Sequence, residues 1–74
     1  MDLKDIIANH GSTVKSIIKR ITNEQNEDLE QEVYTRVWKN SDKYKEKGML
    51  KAWIRTISAN ISKDYLKSSQ KKNQ

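Results

Sequence analysis

The stretch Asp28-Leu-Glu-Gln-Glu-Val-Tyr-Thr-Arg-Val-Trp38 decides how this chain folds. Leu29, Val33 and Val37 recur every four residues, with Tyr34 and Trp38 beside them. That is the period of a helix packing one face. Asp28, Gln31, Glu32 and Thr35 fall together on another face. A carboxylate-bearing surface repels the phosphate backbone of DNA, so this side reads as a docking surface for a basic protein partner. Upstream, Asn23 or Asn26 is placed to cap the helix. Glu27, Asp28 and Glu30 then lie in the first turn, where the positive end of the helix dipole favours them. The dipole does not explain Glu32, one turn further on.

On the N-terminal side, Leu3, Ile7, His10, Val14, Ile17 and Ile21 alternate in steps of four and three, and Ile6 and Ile18 widen the stripe. The phase holds across Gly11, which predicts one long helix, bent or broken near His10-Gly11-Ser12 because glycine is costly in a helix interior. His10 lies on the seam and reads as a packed, partly buried side chain. On the C-terminal side the middle helix runs to about Asn40, and Asn40-Ser41-Asp42 breaks it. Lys43-Tyr44-Lys45-Glu46-Lys47-Gly48 follows as a basic loop around one aromatic. A third helix is expected from about Met49 to Ser68, with Leu50, Trp53, Ile54, Ile57, Ile61 and Tyr65 as its main stripe. Ala52, Ala59 and Leu66 form a second, narrower stripe suited to close packing. The last seven residues, 68–74, contain no apolar side chain and are expected to be a frayed tail.

Composition narrows the class. The chain has 74 residues, enough for one small core. With 34% charged residues, no Pro and two Gly, it favours an all-helical domain over a sheet. With three helical segments, four if the first is broken, the expected class is all-α with three to four helices. There is no Cys and a single His, which leaves neither a disulfide framework nor a metal cluster to argue from. No apolar run approaches the roughly 20 residues that span a bilayer, and no signal-like segment opens the chain, so a cytoplasmic protein is expected. The net charge of +5 conceals an asymmetry. Residues 1–32 carry four Lys/Arg and seven Asp/Glu, a net of −3, whereas residues 33–74 carry eleven and three, a net of +8. One half suits a cationic protein and the other a polyanion.

Two constellations carry chemistry beyond packing. Thr56, Asn60, Lys63 and Lys67 are spaced by three or four along the border of the third helix's apolar face. Asparagine hydrogen-bonds base edges and lysine neutralises phosphate, so the row combines readout with positioning. Lys43, Tyr44 and Lys45, with Lys47, surround an aromatic with cations, a combination suited to single-stranded bases; the alternative is a tyrosine folded back on the core. Asp64 is expected to point between the row and Trp53, toward the core, as a partner for a neighbouring cation or backbone group. Nothing supports catalysis: there is no nucleophile–base pairing and no Gly-rich phosphate loop, and the carboxylates fall on solvent-facing helix positions. No cofactor is implied.

Taken in order, Asp28-Leu-x-Gln-Glu-Val-Tyr-x-Arg-Val-Trp38, Asp42-Lys-Tyr44 and Trp53-Ile-x-x-Ile57-x-x-Asn60-x-x-x-Asp64-Tyr-Leu66 resemble region 2 of bacterial sigma-70-type factors. The small extracytoplasmic-function subgroup is the most similar. The likeness runs from about Ile6 to Leu66, so residues 1–67 would form the domain. It implies a compact helical bundle that binds the clamp helices of the largest RNA polymerase subunit and recognises and melts the promoter −10 element. Carried over, Asp28, Gln31 and Glu32 match polymerase contacts, with Thr35 on the same face and Tyr34 and Trp38 near it or in its packing. Tyr44 matches the aromatic of a pocket for a flipped base of the single-stranded non-template strand. Asn60 matches a base-contacting position, with Lys63 beside the backbone. Complete family members also carry a region 4, so a separate or removed region 4 is expected, as in split sigma factors, and an anti-sigma protein is a further expected partner. The alternative from a different class is an adaptor or decoy that binds polymerase or another regulator without reading DNA.

Overall fold

The computed structural model describes residues 3–40, 42 and 47–72. Three helices occur in the order α1 (Leu3–Thr22), α2 (Glu27–Lys39) and α3 (Lys47–Lys72), and each packs on both of the others. At about 1.5 Å per residue, the 26 residues of α3 span ~39 Å. The molecule measures 42 × 20 × 17 Å, so α3 sets its long axis.

The boundaries follow from capping chemistry. Asn23 ends α1 in the left-handed region (φ 63°), where asparagine is tolerated, and its N–H donates to the Lys19 carbonyl at 2.8 Å. Asn26 is the N-cap of α2: its backbone is extended and its Oδ1 accepts the Leu29 N–H at 3.2 Å. Glu27, Asp28 and Glu30 occupy the first turn, as the dipole favours. Asn40 closes α2, with its N–H and its Nδ2 both donating to the Arg36 carbonyl.

The core consists of Ile6, Val14 and Ile18 from α1, Leu29, Val33, Tyr34 and Val37 from α2, and Leu50, Ile54, Ile57 and Ile61 from α3. Leu3, Trp53 and Tyr65 pack against it. Leu29, Val33, Tyr34 and Val37 of α2 and the main stripe of α3 thus follow the sequence pattern, whereas Trp38 does not join the core. In α1 the expected break is absent: Gly11 is helical and buried, and the helix continues through it. The reason lies opposite, in Tyr34. A Cβ on Gly11 would stand 3.3 Å from the Tyr34 hydroxyl, so the missing side chain lets that phenol approach α1. Ile6 takes the buried place at the start of α1, while Ile7 is exposed.

α3 departs from expectation in three ways. It begins at Lys47 and runs to Lys72, beyond both expected ends. Its tightest packing does not use the alanine stripe: Ala52 is exposed and Ala59 and Leu66 are half-buried. Ser58 and Ser62 are instead fully buried, each donating its hydroxyl to the carbonyl four residues back at 2.8 Å. A small polar side chain that satisfies itself on its own helix permits close approach without an unpaired buried group.

Candidate protein and nucleic-acid interfaces

On α2 the division into two faces is complete at the residues that matter. Leu29, Val33, Tyr34 and Val37 are buried, whereas Asp28, Gln31, Glu32 and Thr35 are all exposed. Trp38, at the end of the same helix, is 49% exposed, so it is available as a contact and is not a core residue. The face is not uniformly acidic. Glu32, Thr35, Arg36, Lys39 and Asn40 line a shallow depression of about 450 Å³, and Arg36 follows Glu32 by one turn on the same side. The exposed side of α2 therefore runs from carboxylates at its N-terminal end to cations at its C-terminal end, each where the helix dipole favours it.

One carboxylate of the group is misplaced by the sequence pattern. Glu30 is buried, not solvent-facing. It stands one turn before Tyr34, whose phenol is pushed above its ordinary value first by burial and then by the Glu30 charge. Glu30 and Tyr34 belong to the packing between helices and are not available to a partner. In their proportions of burial they differ from Asp28 and Glu32, and only the latter two form the exposed acidic surface.

On α3, Thr56, Asn60, Lys63 and Lys67 are all exposed, on the side away from Ile54, Ile57 and Ile61. The Thr56 hydroxyl donates to the Ala52 carbonyl at 3.1 Å, leaving its oxygen able to accept. Lys43, Tyr44 and Lys45 lie outside the described residues. Asp64 is exposed and does not turn into the core. It borders a groove between α2 and α3 with Leu29, Glu32, Arg36, Ile61, Tyr65 and Ser68. The neighbouring Tyr65 reaches across the bundle and donates its O–H to Glu24 Oε1 at 2.9 Å, tying α3 to the α1–α2 connection. His10 is half-buried beside Asp5, Ile6, Asn9 and Leu50, a packed position as its place on the seam predicts. Among the described residues, no group of three or more His, Cys, Asp or Glu is placed to hold a metal ion, and no helix is long and apolar enough to cross a membrane.

The described residues form a small three-helix bundle in which Asp28, Gln31, Glu32 and Thr35 of α2 and Thr56, Asn60, Lys63 and Lys67 of α3 lie on exposed helix faces. The chain belongs to the sigma-70 region 2 family, which it matches over residues 6–72, nearly its whole length. That family consists of transcription initiation factors and is not a family of enzymes; its role is in RNA polymerase binding and promoter −10 recognition. No curated protein and no solved structure matches the chain.

Proposed function

We propose that this chain is a promoter-recognition module of the extracytoplasmic-function-like type, acting in the bacterial cytoplasm in concert with a region 4 domain on the same or another polypeptide. α2 docks on the clamp helices of the largest polymerase subunit through Asp28, Gln31, Glu32 and Thr35, with Trp38 at the edge of the contact. Polymerase supplies most of the affinity and holds α3 over the −10 DNA. Asn60 reads a base of the non-template strand, with the accepting hydroxyl oxygen of Thr56 one turn before it. Lys63 and Lys67 position the strand's backbone, and Tyr44, flanked by Lys43 and Lys45, stacks on an unpaired base. Flipping a base costs a few kcal/mol, and stacking on an aromatic returns about 1–3 kcal/mol. An anti-sigma protein that covers α2 would compete directly with polymerase.

The observation that carries this reading is the exposure of Asp28, Gln31, Glu32 and Thr35 on a helix whose other side is core. Its test is the binding of single-stranded −10 oligonucleotides to the complex of this chain with polymerase. Tyr44→Ala and Asn60→Ala should each weaken that binding about tenfold, the equivalent of ~1.4 kcal/mol, with polymerase docking preserved. Equal binding of −10 and scrambled oligonucleotides by the unmodified chain would instead identify an adaptor that does not read DNA.

A further inference from the structure

A groove between α1 and α3 lies outside every residue assigned so far. It is lined by Ser12, Thr13, Ser16, Ile17, Arg20 and Arg55 and has a volume of about 670 Å³. Its chemistry among the described residues is one-sided: two guanidinium groups, three hydroxyls, one apolar side chain and no carboxylate. Arg20 and Arg55 are exposed, and neither has an ion-pair partner among the described residues. The sequence around each explains why. One turn before Arg20 stands Ser16, and Glu24 lies past the end of α1, beyond the left-handed Asn23, with its carboxylate accepting the Tyr65 hydroxyl. One turn to either side of Arg55 stand Lys51 and Ala59. Two cations border one groove with no counter-charge among the described residues that line it.

The geometry points to a site for a phosphate of the DNA backbone in this groove, held between Arg20 of α1 and Arg55 of α3. The inference rests on the reading of α3 as the helix that faces DNA. Arg55 directly precedes Thr56, the first member of the exposed row, and successive residues are about 100° apart around a helix of 3.6 residues per turn. The groove therefore flanks the row and would take the strand as it leaves it. The donor set suits a phosphate in particular. A guanidinium fork matches two phosphate oxygens, and the Ser12, Thr13 and Ser16 hydroxyls add donors from the α1 side. A carboxylate, planar and satisfied by a single fork, leaves most of these donors unused. Ile17 offers an apolar contact for the sugar between phosphates.

The test uses the side-chain Nε–H resonances of Arg20 and Arg55 in the ¹⁵N-labelled chain. The probe is a single-stranded oligonucleotide of random sequence, with tetraglutamate as the carboxylate control. Both resonances should shift with the oligonucleotide at concentrations where tetraglutamate leaves them unmoved. In the Arg20→Gln/Arg55→Gln chain, the dependence of log K on log salt should become shallower by about 0.7, the share of one single-strand phosphate. Far-UV circular dichroism should be unchanged, because both side chains are exposed. Shifts confined to Thr56, Asn60, Lys63 and Lys67, an equal response to tetraglutamate, or an unchanged salt slope would each overturn the assignment. Loss of −10 preference with the arginine shifts intact would count against the base-reading role of Asn60 and leave the phosphate site standing.

Discussion

Gly11, Tyr34 and Glu30 show how single residues set the spacing of α1 and α2. Alanine is favoured over glycine in a helix interior by about 0.8–1.0 kcal/mol, so Gly11 weakens α1 locally. In return the Tyr34 hydroxyl occupies the space that a Cβ would enter, 3.3 Å away. With the hydroxyl removed, and the neighbouring backbone of α1 itself aside, nothing else among the described residues lies within 4 Å of that position. Gly11→Ala should therefore stabilise the Tyr34→Phe chain by about 1 kcal/mol and the unmodified chain by less, read as a coupling in a urea-denaturation double-mutant cycle. Additive effects would show that the phenol does not constrain Gly11. The same tyrosine gives a pH signature. Its pKa is raised in the folded state above the ordinary 10.0, so folding favours the protonated phenol. Its contribution is then fully present below about pH 10 and is lost as the pH rises through the folded value. Unfolding free energy should fall above pH 10 more steeply in the unmodified chain than in Tyr34→Phe.

At the level of the element, α2 combines strong local signals with a position that packing confirms. Its start depends on Asn26, whose side chain satisfies the Leu29 N–H. Asn26→Ala should cost about 1 kcal/mol of stability, measured by thermal or urea unfolding, without altering the exposed face of α2. An effect near zero would mean that packing of Leu29, Val33 and Val37 alone sets where the helix begins. Most of α2 was legible in the sequence because period, cap and dipole agree there. α3 was legible only in its main stripe. Ser58 and Ser62 are polar by residue type, and a reading by polarity places them outside; their hydroxyls are satisfied one turn back, which lets them enter the core. Glu30 escaped notice for a related reason, since the dipole accounts for its presence in the first turn but says nothing of its burial. The Arg20–Arg55 groove had no sequence signal at all. Its walls are 35 residues apart in the chain, and only the packing of α1 on α3 brings them together.

Across the whole molecule, the charge asymmetry becomes an arrangement of surfaces. The N-terminal 32 residues, with a net charge of −3, contribute the acidic turn of α2, while the C-terminal 42, with a net of +8, contribute the cations of α3. α1 belongs to the acidic half by count, yet its C-terminal end carries Lys19 and Arg20 and joins the cationic side. All three helices share one core, so a partner bound to α2 is held in a fixed relation to α3. Under the proposed function, rigid coupling of this kind would convert docking on polymerase into positioning on DNA. The claim on which this depends is that the exposed carboxylates of α2 are the docking contact. Binding of the isolated clamp-helix fragment to the unmodified chain and to Asp28→Lys/Glu32→Lys, with circular dichroism as the check on folding, tests it most directly. Both side chains are exposed, so the helical spectrum should be retained while clamp binding is abolished. Retention of full affinity by the folded double variant would contradict it.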